Sequence, residues 1–372
     1  MKRPVFSVII PTRERPETLR FAMQSILCQH GDDFELLISD NASGPETEQI
    51  ARGFNDPRVV YVRTDRRLSM CDNWDFAFTH ARGDYIAFLG DDDALMPRAL
   101  EKVRQVTQNR KPDILMGTSY HYLWPVGELP AELLWVPAKQ EHREIHLEPL
   151  IDRTFRLGGA GYDRLPCAYR CFVHRRLFES LANVTGRIFH SMAPDVFTTF
   201  ALPFFCPVAD HVGEPLFVSG QSRRRANRNS QDWLRRWANE FTGYRMHKLL
   251  THDLYPPSFH AFNVVADSAL VASDFFPEFY GHKRFNLEAY YGWFLSSSRG
   301  VPLSELPHFL SKVHEAGDVN RAATLAWWGL YRTYHTYSYA RLRKRSAHPA
   351  YAPLATDVAS FAQQADTVTS AQ

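Results

Sequence analysis

Three consecutive aspartates, Asp91, Asp92 and Asp93, follow the apolar run Tyr85 to Leu89. Neighbouring carboxylates repel: two unit charges about 6 Å apart cost roughly 3 kcal/mol at an effective dielectric near 20. A bound Mg²⁺ or Mn²⁺ offsets that repulsion, because these hard ions take oxygen ligands and combine one or two carboxylates with substrate phosphates. A solvated turn with a helix N-cap is the plainer use of the same residues. The triplet by itself leaves both readings open.

Any such site must be held by the elements around it. Val5 to Ile10 has the Val and Ile content of a buried parallel strand, ended by Pro11 and Thr12. Leu19, Ala22, Met23, Ile26 and Leu27 then recur on one face of a helix that starts near Pro16. The unit repeats, with strands over Phe34 to Ser39, Val59 to Val62, Tyr85 to Leu89 and Asp113 to Thr118. Helix entries fall at Pro45, Met70 and Met96-Pro97 between them. Strands alternating with helices at these spacings imply a parallel sheet with right-handed crossovers and helices on both faces. Ligands of such sheets bind beyond the strand C-termini. Thr12, Asp40 and Asp91 to Asp93 each follow a predicted strand, so three separated stretches of chain converge on one crevice.

Further along, Trp124, Pro125, Pro130, Trp135 and Pro137 mark an irregular connection. From about Asp232 the pattern turns helical and aromatic, with Trp233, Trp237, Phe241, Tyr244, Tyr290, Trp293, Trp327 and Trp328. After Arg345 the chain is rich in Ala, Ser, Thr and Gln, which predicts a flexible tail over 346–372.

Composition removes several function classes. Lys and Arg number 43 against 41 Asp and Glu, and a net charge of +2 gives no global attraction to nucleic acid or to an anionic membrane. The five cysteines, Cys28, Cys71, Cys167, Cys171 and Cys206, lack the paired spacing of a structural zinc site and read as free thiols in a reducing cytoplasm. Met1 to Pro4 carries no signal-peptide pattern. The most apolar stretch, Val196 to Val208, is broken by Pro203 and Pro207 and is too short to cross a bilayer. No glycine-rich turn follows the first strand, which disfavours a nucleotide-binding dehydrogenase, and no P-loop is present.

Ser7-Val8-Ile9-Ile10-Pro11-Thr12, Ser39-Asp40-Asn41-Ala42-Ser43 and Gly83-Asp84-Tyr85-Ile86-Ala87-Phe88-Leu89-Gly90-Asp91-Asp92-Asp93 occur in this order, and together they resemble the family 2 glycosyltransferases of GT-A fold. The resemblance implies an α/β fold, a Rossmann-like and mostly parallel sheet flanked by helices, with a mainly helical C-terminal region. Residues 1–230 would form the nucleotide-sugar-binding and catalytic domain and 231–345 the helical region. Pro11 and Thr12 would border the nucleotide pocket, Asp40 would accept a hydrogen bond from the base, usually uracil N3–H, and Asp91 would hold ribose. Asp92 matches the principal metal ligand, and Asp93 would support the ion directly or through water. Arg15 and Asn73 stand where the family has polar site residues; bracing of loops is the alternative for each. Gly90 departs from the pattern: many relatives have an acid there, and an Asp-x-Asp spacing survives only through Asp91 and Asp93. For Asp40 the plain alternative is a cap on the helix after Ser43.

Met192-Ala193-Pro194-Asp195-Val196 resembles the later acidic motif of this family, where an aspartate faces the acceptor, and makes Asp195 the candidate general base. Transfer with inversion needs one such base. Capping of the helix suggested by Val196 to Ala201 is the alternative for Asp195, and Asp163 and Asp210 are weaker candidate bases. Arg223, Arg224, Arg225 and Arg228 could close over a diphosphate or form a solvated basic face. His190 and His211 read as polar packing residues. The expected partners are a UDP-sugar donor and a glycan, lipid-linked or small-molecule acceptor, with Mn²⁺ or Mg²⁺ and no nucleic acid. The expected location is cytoplasmic, with peripheral contact at the inner face of the membrane through Arg341, Arg343, Lys344 and Arg345. An inactive binding relative and a nucleic-acid-binding protein are the competing classes; metal-dependent UDP binding, turnover and salt dependence separate them.

Overall fold

The computed structural model describes residues 3–137, 140–221, 261–297, 306–317, 319–346 and 354–370. Its centre is a ten-stranded sheet whose main path runs β3 (Val59–Arg63), β2 (Phe34–Asp40), β1 (Phe6–Thr12), β4 (Tyr85–Phe88), β9 (Cys171–His174), β6 (Ile114–Leu123), β10 (Val208–Gln221), β5 (Ala94–Leu95). Strands β3, β2, β1 and β4 are parallel, as are β6 and β10. Between these blocks β9 runs antiparallel to both its neighbours. Short β7 (Glu132–Trp135) and β8 (Arg143–His146) pair antiparallel with β6 and β10. The central sheet is mostly parallel, as expected; the four-residue β9 was not anticipated.

Alternation along β1 divides the core. Phe6, Val8 and Ile10 enter a cluster with α1 (Pro16–Leu27) and α4 (Ala99–Arg110), while Ile9 enters the opposite one. That opposite cluster contains α3 (Met70–His80), α5 (Glu148–Arg156), α6 (Arg175–Thr185) and α7 (Pro194–Phe205). Helix α2 (Pro45–Gly53) connects β2 to β3. A sheet covered on both faces needs strands that are mostly apolar, and β1 and β2 read as hydrophobic runs whose interruptions, Ser7 and Glu35, bond each other at 2.6 Å. Trp74 stacks on Phe88 with centroids 4.4 Å apart and planes within 3°. Trp74 and Phe78 are buried packing residues, whereas Met70 is exposed.

The C-terminal region is helical: α8 (Ala261–Phe275), α9 (Pro277–Tyr280), α10 (Leu287–Ser297), α11 (Leu306–Gly317) and α12 (Arg321–Ser346). It is joined to the sheet domain through α5 and α7. Phe155 stacks on Tyr280 at 5.0 Å, Tyr280 Oη donates to Phe200 O (2.6 Å), and Asn286 N donates to Phe155 O (3.0 Å). At Gly158 φ is +58°, and a Cβ there would lie 2.1 Å from Tyr290 N, so only glycine fits.

The flexible tail expected over 346–372 needs correction. Val358–Ser370 forms helix α13, with Val358, Phe361, Ala362 and Ala365 buried. Their spacing makes an apolar stripe, which lies on Tyr120 and Tyr122 of β6; the Tyr122 and Phe361 rings stack at 5.1 Å. Small side chains lowered the overall apolarity of this segment without removing its periodicity.

Candidate active site

Parallel pairing in register places Thr12 beside Asp40 at the ends of β1 and β2. The loop after β4, next to β1, carries Asp91 and Asp92 to the same edge. Thr12 Oγ1 donates to Asp91 Oδ2 at 2.7 Å. Arg15, at the entry to α1, reaches Asp91 Oδ1 through Nη1 (2.6 Å) and Asp92 Oδ2 through Nη2 (2.7 Å). One guanidinium therefore bridges the two carboxylates and relieves their repulsion. Burial acts against its charge, but Asp91 and Asp92 outweigh burial and hold its pKa above the ordinary value.

Asp93 faces another way. Its Oδ2 accepts from Gly90 N (3.0 Å) and its Oδ1 from Gly220 N of β10 (2.7 Å). A Cβ on Gly90 would stand 2.6 Å from Asp93 Oδ2, so the missing acid at position 90 and the inward turn of Asp93 are one arrangement. Trp124 Nε1 donates to Asp92 O at 2.9 Å and fixes the same loop from β6.

Asp40 is wholly buried. Its Oδ1 accepts from Ser43 N (2.9 Å), the capping role weighed from sequence, and its Oδ2 accepts from Tyr61 Oη (2.6 Å). Arg63 Nη1 stands 3.9 Å away. A nucleobase could bond to this carboxylate only after Tyr61 gives way. Burial first, then Asp40, pushes the Tyr61 hydroxyl pKa up, so it stays a proton donor. Pro11 is partly exposed beside this edge. Asn41 bonds Leu68 at both its backbone groups, and Asn73 accepts from Ser39 Oγ at 3.0 Å; both brace loops.

Asp195 lies in the first turn of α7, whose N-cap position is Ala193, so Asp195 is not the cap residue. The approach to this helix is held from two sides. Asp75 of α3 accepts from the backbone N–H of Ile188 and Phe189 and pairs with Arg187. From α8, the buried Asp267 accepts from Ser191 Oγ at 2.6 Å, and Ser191 has φ +66°. Tyr162 lies within electrostatic reach of Asp195 and of Arg170; burial first, opposed by Arg170 and aided by Asp195, pushes its hydroxyl up to about 12. Tyr169, adjacent to Arg170, lies within reach of Arg15. The turn Ala168–Arg170 thus stands between the two aspartate groups.

Asp210 accepts from Arg110 and His142, and Asp163 is exposed. His190 bonds Thr185 and packs on Phe197 and Phe275; burial, then Arg187, pushes its pKa down to about 4. His211 accepts from Gly213 N, and burial lowers its pKa. Both fit polar packing. Cys28, Cys71, Cys167, Cys171 and Cys206 are free thiols. Arg223, Arg224, Arg225 and Arg228 lie outside the described residues, as do the side chains of Arg341, Arg343, Lys344 and Arg345.

Among the described residues no three His, Cys, Asp or Glu side chains form a metal-holding group. An ion shared with a diphosphate needs only one or two carboxylates. Asp91 and Asp92 supply that donor chemistry at the place where Arg15 sits, and Asp93 beside them accepts from two backbone N–H groups. Tyr61, Asp75, Arg170 and Asp267 were missed from sequence. Tyr61, Asp75 and Asp267 act through partners distant in the chain, and Arg170 through Cys167 and Asp163 close by; no local motif marks any of them.

The family model described as "Glycosyl transferase family 2" matches residues 7–178. An uncharacterized glycosyltransferase of Methanocaldococcus jannaschii is 29% identical over 149 residues, 39% of this chain and 51% of that protein. The GalNAc(5)-diNAcBac-PP-undecaprenol beta-1,3-glucosyltransferase of Campylobacter jejuni is 31% identical over 105 residues, 27% of this chain and 34% of that one. The chain thus spans about half the length, or less, of the curated relatives it matches. In fold it is similar to S. aureus TarS 1-349, a structure in complex with UDP-GlcNAc, with a TM-score of 0.51 and 14% identity over 99% of this chain and 92% of that one. Among the described residues no helix is long and apolar enough to cross a membrane. The three ordered motifs, the matched span and the GT-A architecture agree in likening residues 7–178 of this chain to glycosyl transferase family 2.

Proposed function

We propose that this chain is an inverting glycosyltransferase that moves a sugar from a UDP-sugar to a hydroxyl of a glycan, lipid-linked or small-molecule acceptor. The observation that carries the reading is the convergence of Thr12, Arg15, Asp91 and Asp92 at the C-terminal edge of β1 and β4, beside Asp40. The S. aureus neighbour's complex with UDP-GlcNAc makes uridine the first base to test.

In this reading Thr12 and Pro11 border the nucleotide, Asp91 faces the ribose, and Asp40 meets the base once Tyr61 releases it. Arg15, freed from the aspartates, would bond diphosphate oxygens. When bound, Mn²⁺ or Mg²⁺ held by Asp92 with Asp91 would neutralise charge on the leaving diphosphate. Asp195 takes the proton of the acceptor hydroxyl as its oxygen attacks the anomeric carbon from the face opposite the diphosphate. The new glycosidic bond forms as the bond to the diphosphate breaks, and UDP departs. Residues 1–230 carry these roles and 231–345 support them. The same proposal keeps the enzyme in the cytoplasm, with the basic run at 341–345 against the inner membrane face.

Calorimetry tests the donor half: UDP should bind, and more tightly with Mn²⁺. Tight binding of a different nucleotide and none of UDP would reject the base assignment. For the chemistry, Asp195→Asn should lower turnover by about 10² to 10⁴ with little change in UDP affinity. NMR of the product should show an inverted anomer; a retained one rejects single displacement.

A further inference from the structure

Arg170 carries N–H donors that its neighbours leave unfilled. It ends the short turn Ala168–Arg170, is densely surrounded by protein, and is nevertheless reached by solvent, the condition of a side chain lining a crevice. Its Nε donates to Cys167 Sγ at 3.3 Å and its Nη1 to Asp163 O at 3.0 Å. Neither acceptor is a carboxylate, and among the described residues no Asp or Glu oxygen lies within ion-pair distance of the guanidinium. Of the five N–H donors of an arginine, three have no partner among the described residues.

Cys167, Tyr162 and Asp163 favour the guanidinium's charge and hold its pKa up against burial, but none of them sets a bonded oxyanion against it. His121 on β6 is pushed down to about 4 by burial and then by Arg170, so it is neutral near pH 7. Tyr162 keeps its proton. The Asp163 carboxylate belongs to an exposed residue whose backbone, not side chain, meets Arg170. Arginine's planar fork, here with donors to spare, matches the paired oxygens of phosphate or carboxylate. The location favours one side of the reaction: Ala168 N, in the turn that ends at Arg170, donates to Thr198 Oγ1 at 3.2 Å, and Thr198 Oγ1 donates to Asp195 O at 2.7 Å, whereas the donor-side aspartates already have Arg15.

We propose that Arg170 is an oxyanion-recognising residue on the acceptor side, so that the acceptor presented to Asp195 carries a phosphate or carboxylate group near its reacting hydroxyl. The proposal rests on the assignment of Asp195 and deepens it by naming an acceptor class. Inorganic phosphate is the probe. With the full chain saturated by UDP and Mg²⁺, calorimetry should show phosphate binding. Arg170→Gln should weaken that binding at least tenfold, Arg170→Lys should retain most of it, and UDP affinity should change less than twofold in both. Retention by Arg170→Lys separates charge recognition from the bonds to Cys167 and Asp163, which lysine cannot reproduce together.

No phosphate binding to the wild-type chain, or equal binding to Arg170→Gln, would overturn the proposal. A tenfold loss of UDP affinity in both variants would also overturn it, since the oxyanion would then be the donor's diphosphate. Absence of UDP binding in the wild-type chain tells against the donor reading instead, and the phosphate comparison, repeated without nucleotide, still decides the role of Arg170.

Discussion

Arg15 holds the place that charge balance alone would give to a cation. If donor binding replaces the guanidinium by a metal and draws Arg15 to the phosphates, Arg15→Gln should expose the exchange. The variant removes this guanidinium from between Asp91 and Asp92, at a cost of about 2 kcal/mol by urea denaturation in chelator. Mn²⁺ should then raise its melting temperature more than that of the wild type. Equal shifts would show that the ion does not go to these carboxylates. The charge problem at the triplet was legible in the sequence, as were Thr12 and Asp40 at strand ends. The solution was not, because Arg15 lies 77 positions from Asp92 and nothing local points one at the other. Asp93 shows the same limit: its partner Gly220 lies 127 positions away on a strand that the sequence did not place beside it.

Among elements, β10 sets how closely the aspartate loop is held. A Cβ on Gly220 would stand 1.7 Å from Asp92 O and 2.7 Å from Trp124 Nε1, so Gly220→Ala must push the strand and the loop apart. It should cost about 2 to 4 kcal/mol of stability and weaken UDP binding, whereas Gly127→Ala, with open space at its Cβ, should change UDP affinity little. Wild-type UDP affinity in Gly220→Ala would show that β10 does not hold the donor edge. The parallel strands announce themselves because burial on both faces leaves no polar alternation to confuse them. Strand β9 does not, since four residues between a short turn and a helix give no period to read. Helix α13 had a readable period that composition concealed.

For the molecule as a whole, three histidines link folding to acidity: burial lowers His211, and it acts more strongly on two others. His121 and His190 are each pushed down to about 4, burial being the first cause in both. Above about pH 6.5 these groups are neutral folded or unfolded and contribute no pH dependence. Between about pH 6.5 and 4 the unfolded chain takes up protons that the folded chain refuses, so stability should fall as pH falls through that window. Urea midpoints measured across it check the sign. His190→Phe, which keeps the ring contacts with Phe197 and Phe275, should reduce the dependence by up to one proton; an unchanged slope would remove His190 from the account.

Helix α13 also orders events during synthesis. Its stripe covers Tyr120 and Tyr122, and Tyr122 Oη donates to Ala355 O at 2.6 Å. Strand β6 continues to Trp124, which grips the backbone of Asp92. Until residues 354–370 have left the ribosome, the patch of the nascent sheet around Tyr120 and Tyr122 stays bare although every described strand of that sheet has been made. A premature stop codon shortly before Val358 would therefore leave the aspartate loop intact in sequence and an aromatic surface open to chaperones and to neighbouring nascent chains.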